Sequence, residues 1–402
     1  MTWMELPAGT AFGLDNLPYG VFSPGDGPRR VGVAVGDRVL DVGAVASAAA
    51  APFASLLSGP VLNPLLAAGR ARWAQVRATI RDWLTEASSA DRVRPHLYPL
   101  ADVTLHLPIE VGDYVDFYSN EFHATNAGHI FRPDVADALP PNWKHLPIGY
   151  HGRSSSVVVS GTPIVRPVGQ RRGKETPGFG PSKRLDVETE VGFVVGVGSE
   201  MGTRIGVADF ADHVFGVFLL NDWSARDIQA WETAPLGPFL GKSFATSISP
   251  WIVPLDALQD ARVAPPARDP EPLPYLRDVD HWGLDLDLEL SINGHTVSRP
   301  HFSTMYWTPA QQLAHMTVNG APTRTGDVYG SGTVSGPVKG ERGCLLELSW
   351  GGTEPFALPD GGTRTFLEDG DEVAITATAP GPGGARIGFG EVYGKVVPSI
   401  VD

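Results

Sequence analysis

The 402-residue chain reads as a mainly β, α+β protein of two units, a small one over residues 1–107 and a larger one over residues 108–402. Three observations lead there. The 47 Gly and 36 Pro are spread along the whole length, as many turns between short strands require. Apolar residues alternate along Val31-Gly32-Val33-Ala34-Val35, turn at Gly36-Asp37 and resume at Arg38-Val39-Leu40, a hairpin signature. Helical periodicity is sparse outside one stretch of the first unit. The length suffices to bury a sizeable core in each unit.

Taken in order, Gly20-Val21-Phe22 and the hairpin that follows suit a small barrel. Over residues 64–88, Leu66, Trp73, Val76, Ile80, Trp83 and Leu84 recur at three- and four-residue spacing. That predicts an amphipathic helix with Arg70, Arg77 and Arg81 on its wet face. Near Leu105-His106-Leu107-Pro108 the pattern changes, and strands, glycines and short turns dominate from there on. The basic, Gly-rich stretch 170–184 and the Pro-rich stretch 260–274 read as long loops without regular structure, of the kind that serve as lids or binding edges. Short helices are expected near 209–213 and 311–315, and 367–375 reads as strand, turn, strand. No internal repeat is visible at a solenoid or propeller period.

A formal charge of −14 and a pI near 5.2 argue against nucleic acid or an anionic membrane as partner, since both need a positive surface. An anionic substrate must then be captured by local Arg or Lys. The single cysteine, Cys344, excludes an intrachain disulfide framework and reads as a small buried hydrophobe. Met1-Thr2-Trp3-Met4-Glu5 lacks the basic start and apolar core of a signal peptide, and the Ala-rich run 42–51 stops at Pro52, short of a membrane span. A cytoplasmic protein is expected.

The most specific local feature is Glu188-Thr189-Glu190, set between Leu185-Asp186-Val187 and the apolar run 191–197. Residues two apart on a strand share a face, so the two carboxylates converge while Thr189 points away. On spacing alone they could be exposed acids on a strand edge. In apolar surroundings, two like charges need a cation. Oxygen ligands suit a hard divalent ion such as Ca²⁺ or Mg²⁺, with Asp222 and the upstream Asp116 to complete the set. Asp222 follows the apolar run 214–220, at the end of what reads as a buried strand. On a helix, Asp222 and Arg226 would instead form an ordinary surface ion pair.

His123 lies in an aromatic and acidic stretch, 113–126, and could act as a general base near neutral pH. With His129, His145 and His151 nearby, a zinc site is the competing reading, but the spacings match no zinc pattern. Gly237-Pro238-Phe239-Leu240-Gly241-Lys242-Ser243 imitates a phosphate-binding loop, yet its glycine spacing is one residue short. Lys242, in an apolar turn, needs an anionic partner: a bound carboxylate, an enolate or the metal site's acids. The segment 330–336 offers amides and hydroxyls at close approach or is simply a tight loop. Glu347, an acid in what reads as an apolar strand, needs a hydrogen-bonding partner such as a catalytic histidine.

Taken together, the stretch 113–126, Leu139-Pro140-Pro141-Asn142-Trp143 through Gly149-Tyr150-His151-Gly152-Arg153, Asn221-Asp222-Trp223-Ser224-Ala225-Arg226-Asp227, the stretch 235–244 and Leu346-Glu347-Leu348-Ser349-Trp350 closely resemble the fumarylacetoacetase family. The likeness runs over essentially the whole chain, with five motifs in order. It implies an SH3-like N-terminal barrel, a mixed β-sandwich-roll catalytic domain, a homodimer, and hydrolysis of a β-diketo acid at the last step of tyrosine and phenylalanine catabolism. The resemblance gives Asp116, Glu188, Glu190 and Asp222 as Ca²⁺ ligands and associates Asp222, Lys242 and Thr246 with Mg²⁺. A charged lysine offers donors and no acceptor, so Lys242 reads as a substrate group or a partner of the ligands rather than a ligand. His123 matches the catalytic base and Glu347 its orienting acid. Lys242, Arg226 and Gln229 match groups that stabilise the leaving enolate, while Tyr118, Arg132, Tyr150, Arg226, Gln229 and Thr333 match substrate contacts. Where the family usually has a tyrosine after Gln229, this chain has Trp231-Glu232-Thr233, and Thr233 supplies no phenol. The alternatives are an acylpyruvate hydrolase or decarboxylase of the same superfamily and, from another class, a non-catalytic Ca²⁺-braced binding protein.

Overall fold

A computed structural model describes residues 2–359 and 361–400. In the first unit, β1 (Tyr19–Pro24), β2 (Arg30–Val35) and β3 (Arg38–Asp41) form the expected antiparallel meander, with Val35 facing Arg38 across the Gly36-Asp37 turn. Asp41 caps α1 (Val42–Ala48) by accepting the Ala44 amide at 2.9 Å. The helix expected over 64–88 is two helices, α2 (Asn63–Leu66) and α3 (Arg70–Thr85). They are divided at Gly69, whose φ of 82° leaves the helical region. The predicted apolar stripe is buried throughout. Arg77 is no wet-face residue: its guanidinium donates to the carbonyls of Asp15 and Asn16 and so holds the N-terminal segment on α3. After α4 (Ala90–Val93), β4 (Leu97–Pro99) pairs with β3 and β5 (Val103–His106) with β1. The ladder does not close between β4 and β5.

The second unit runs β6 (Tyr114–Phe117), α5 (Glu121–Phe131), β7 (Gly149–His151), β8 (Val157–Val159), β9 (Ile164–Val165), β10 (Val168–Arg171), β11 (Gly178–Pro181), β12 (Leu185–Asp186), β13 (Thr189–Val195), α6 (Phe210–His213), β14 (Val214–Asp222), β15 (Ser224–Ala225), α7 (Arg226–Glu232), β16 (Thr246–Ile248) and β17 (Trp251–Pro254). It continues through β18 (Arg262–Val263), β19 (Gly283–Leu284), β20 (Asp287–Ile292), β21 (His295–Ser298), α7's successor α8 (Pro309–Thr317), β22 (Val328–Gly330), α9 (Leu345–Leu348), β23 (Phe356–Ala357), β24 (Thr363–Arg364), β25 (Glu372–Pro380) and β26 (Arg386–Val397). The stretch 170–184, expected to be irregular, contains the β10–β11 hairpin, because Val168, Gly169, Gln170 and Arg171 pair with the Gly178–Pro181 strand. In 260–274 the described strand is β18, which pairs with β19, and 3-10 turns reach into both ends of the stretch. Residue 367 forms an isolated bridge to Leu185, and only the second half of 367–375 enters a strand. Thr308 and Gln311 form a reciprocal capping box at α8, which therefore starts earlier than its apolar spacing suggests.

A 13-stranded sheet joins both units, with a main path β4-β3-β2-β1-β17-β14-β13-β22-β6-β7, and β5 paired off it to β1 and β16 to β14 and β8. A five-stranded sheet, β21-β20-β25-β26-β9, packs against it. Strand alternation assigns the two faces of β14. Val217 and Leu219 join Leu290, Ile375 and Phe389 in the core between the sheets. Phe218 and Leu220 join Val33, Trp73 and Ile80 of the first unit in the core on the other face. Because the sheet is covered on both sides, the ends of its central strands are held rigidly, and the candidate site lies at one such end.

Candidate active site

At the start of β13 and the end of β14, antiparallel pairing sets Thr189 opposite Asn221 and Glu190 opposite Leu220. Asp222 pairs with Thr246 of β16, and Asp116 of β6 lies between Gly330 of β22 and Tyr150 of β7. Each position is therefore fixed by backbone ladders. The carboxylates of Asp116, Glu188, Glu190 and Asp222 converge, with one oxygen from each lying within 4.8 Å of the others, and all four are buried. Asp116 Oδ1 and Glu190 Oε1 have no hydrogen-bond donor. A Cβ at Gly330 would come within 2.8 Å of both Asp116 and Glu190, so only glycine leaves room beside the pair.

Four buried acids against one lysine and one shared arginine leave negative charge uncompensated, which fits a hard divalent cation. Burial, reinforced by the neighbouring carboxylates, pushes the Asp116 and Glu190 carboxyls well above their usual range. Burial acts the same way on Glu188, but Arg226 and Lys242 outweigh it and hold that carboxyl low. The Lys242 ammonium donates to Glu188 and, at 2.6 Å, to Asp222 Oδ2. Its partners are thus the acids of the cluster, one of the options its sequence left open. Thr246 reaches the group through Asp222, at 3.4 Å, and the Tyr150 hydroxyl donates to Asp222 Oδ2 at 2.9 Å.

Beside the acids, Asn120 caps α5 by accepting the His123 amide at 2.9 Å, and ties that turn to the 331–335 segment through the Ser335 carbonyl. Glu347 lies on the short helix α9 rather than on a strand. Its Oε2 is 2.6 Å from His123 Nδ1. It also accepts from Asn126 Nδ2 and Ser335 Oγ, each at 2.8 Å, and from Cys344 Sγ at 3.1 Å. Although burial opposes its ionisation, His123 and these donors hold the Glu347 carboxyl at about 2. The carboxylate thus keeps a proton on Nδ1 and leaves Nε2 as the basic nitrogen, 3.9 Å from Glu188 Oε1. His129, His145 and His151 join no such group among the described residues.

His123 and three of the four acids line a cavity of about 1410 Å³, together with Tyr118, Arg132, Tyr150, Arg226, Gln229, Lys242 and Thr333. The Tyr118 ring meets His123 edge-on at 5.4 Å. Thr333 Oγ1 is buried without a partner. Arg132 donates to the Ala138 carbonyl at 2.6 Å, which fixes its guanidinium at the cavity wall. Thr233 also lines the cavity, but its hydroxyl turns back to the Gln229 carbonyl at 2.6 Å. Arg226 does not pair with Asp222. It bridges Asp186, 2.8 Å from Nε, and Glu188, 2.8 Å from Nη2, and holds Gln229 Oε1 at 3.1 Å.

Asp186, read in the sequence as part of an apolar flank, is central. One carboxylate oxygen accepts the Leu345 amide at 2.7 Å, and the other accepts the Leu346 amide at 3.0 Å and Arg226 Nε. It thereby joins the helix that carries Glu347 to the arginine beside the acid cluster. Asp186→Ala leaves the amides of Val187, Leu345 and Leu346 and part of a buried guanidinium unpaired, and is expected to destabilise the protein by about 3–5 kcal/mol. A denaturant titration checks this, and a loss below about 1 kcal/mol would show that water replaces the carboxylate at little cost.

A histidine oriented by a buried acid, set beside an acid cluster able to hold a metal ion, defines the class: a hydrolase centre at the end of a mainly β fold. Known proteins agree with that class. Residues 15–108 match the family model described as fumarylacetoacetase N-terminal, and residues 114–397 the one described as fumarylacetoacetate hydrolase C-terminal. The chain belongs to the fumarylacetoacetase family. It is 46% identical to a fumarylacetoacetase from Homo sapiens over 419 residues, covering 100% of both chains. It is 47% identical to one from Caenorhabditis elegans, covering 99% of each, and 46% identical to one from Arabidopsis thaliana, covering 99% of this chain and 98% of that one. Among solved structures, a fumarylacetoacetate hydrolase from Exiguobacterium antarcticum superposes with a TM-score of 0.54 at 19% identity, covering 95% of this chain and 99% of that one. A maleylpyruvate hydrolase from Sphingobium superposes with a TM-score of 0.53 at 17% identity, covering 95% and 100%. These two share the fold.

Proposed function

We propose that the chain hydrolyses the carbon–carbon bond of 4-fumarylacetoacetate to fumarate and acetoacetate, the last step of tyrosine and phenylalanine catabolism. The observation that carries this reading is the 46% identity to a human fumarylacetoacetase across the full length of both chains. The site's geometry supplies each task the reaction sets. His123, held through Nδ1 by Glu347, takes a proton from water at Nε2. The resulting hydroxide adds to the carbonyl carbon next to the fumaryl portion, and the adjacent carbon–carbon bond breaks with its electron pair passing to the acetoacetate enolate. The proton held by His123 is then available to that enolate.

Lys242 spends two of its three donors on Glu188 and Asp222, and the third is free for an enolate oxygen. Arg226 and Gln229 add donors from the start of α7, and Tyr118, Arg132, Tyr150 and Thr333 bind the rest of the substrate. Asp116, Glu188, Glu190 and Asp222, with Thr246 alongside, would hold a divalent cation, Ca²⁺ or Mg²⁺, which would supply positive charge for the diketone oxygens. The protein works as a cytoplasmic homodimer, with residues 1–107 and 108–402 as its two domains. Among the described residues no helix is long and apolar enough to cross a membrane.

The test is loss of the diketone absorbance of fumarylacetoacetate on adding purified protein, with chelator and with divalent-ion add-back. Metal-dependent loss with equal amounts of fumarate and acetoacetate is expected. No loss with metal present would point to an acylpyruvate substrate instead.

A further inference from the structure

The chain carries a formal charge of −14, so its distant field repels a dianion. Around the cavity the balance reverses. Arg172 and Lys174 at the tip of the β10–β11 hairpin, and Lys183 and Arg184 just after it, line the same cavity as His123. All four are exposed. None of them makes an ion pair among the described residues, although Arg184 lies over the Phe366 ring at 5.7 Å. In a protein with more acids than bases, four unpaired cations at one opening are an uneven distribution with an electrostatic consequence.

The hairpin that carries them is braced. Asp227, in the first turn of α7, accepts Ser182 Oγ at 2.6 Å and the Lys183 amide at 2.8 Å, and lies 3.9 Å from Arg171. Trp231 of the same helix donates to Gln170 at 3.3 Å. The basic arm is thus anchored to the helix that presents Arg226 and Gln229 to the interior. The arm and the inner donors therefore line one continuous cavity.

We propose that Arg172, Lys174, Lys183 and Arg184 form an outer anion-binding subsite that captures dicarboxylates at the cavity mouth and accelerates their entry. The inference rests on the reading of the substrate as a diketo diacid. Focusing by a charged cleft raises association rates by about 10–10³-fold and fades with ionic strength.

The test compares the cation-loaded wild-type protein with Arg172→Gln/Lys174→Gln. On fumarylacetoacetate at low salt, kcat/KM of the double variant is expected to fall about tenfold with kcat unchanged, the difference closing at high salt. Calorimetric binding of fumarate, which needs no turnover, is expected to weaken in the same variant and to show a shallower salt dependence. A charge-matched control away from the cavity, Arg38→Gln/Arg324→Gln, is expected to behave as wild type. Equal fumarate affinity in wild type and Arg172→Gln/Lys174→Gln at low salt, no fumarate binding in either, or an equal loss in the control, overturns the subsite. Intact fumarate binding with no turnover of fumarylacetoacetate would sink the proposed activity and leave the subsite standing.

Discussion

His123→Ala is expected to lower kcat on fumarylacetoacetate by about 10²–10⁴-fold, the range a positioned general base contributes. Cation binding is expected to stay close to wild type, because the imidazole ring makes no hydrogen bond to Asp116, Glu188, Glu190 or Asp222, whereas some thermal stability is lost with the partner of the buried Glu347 carboxylate. The ring's short hydrogen bond is to Glu347, which keeps Asn126 and Ser335 as donors when the ring is gone, while Glu188 stands 3.9 Å from Nε2 and keeps Arg226 and Lys242 as partners. Glu347→Gln is the informative companion. An amide oxygen can still accept from Nδ1 and keep the ring oriented, though as a weaker, uncharged partner, so a smaller loss than that of His123→Ala is expected. Steady-state kinetics beside a cation titration checks both. Near-normal turnover by the alanine variant would remove His123 from the mechanism.

The second large effect is on cation affinity and its dependence on pH. Burial and mutual repulsion raise the Asp116 and Glu190 carboxyls well above ordinary values near ~4. Protons therefore compete with the ion at milder acidity than for ordinary carboxylates, and affinity should drop as pH falls toward the raised values, with protons released on binding. The stability signs follow. A carboxyl whose folded value is raised stabilises the ion-free protein below its unfolded value and loses that contribution as pH rises through the folded value. The chelated protein should thus weaken on going from acid to neutral pH, while the loaded protein does not. The gap in Tm between the two should widen with pH. Scanning calorimetry with and without chelator reads this directly, and a gap that stays constant over that range would mean that Asp116 and Glu190 are not the proton-linked ligands.

Much of this site was legible from residue order, because strand alternation is a strong constraint. Glu188 and Glu190 had to share a face, and the apolar run ahead of Asp222 had to end where the sheet ends. The helix carrying Glu347 was not legible. Cys344-Leu345-Leu346-Glu347-Leu348 reads equally as a short buried strand, and only the Asp186 carboxylate binding two of its amides settles the matter. Asp186 itself had a signal: it precedes Glu188 by two, so the acids recur at 186, 188 and 190 with the period of a strand. The basic hairpin was hidden by its glycines, which weaken strand propensity while permitting the pairing of 168–171 with 178–181. The split of the 64–88 helix turned on one left-handed glycine that sequence periodicity does not register.

The double-sided burial of β14 bears on where damaging substitutions should be found in such a chain. Phe218 is wholly buried against residues of the first unit, while Asp222, four positions along the same strand, belongs to the acid cluster. A lesion in the packing beneath residues 19–85 can tilt that strand and spread the acids without touching one of them. Loss-of-function variants should therefore scatter along the full length of the chain instead of gathering at the cavity, and many inactive proteins should retain every residue the chemistry needs.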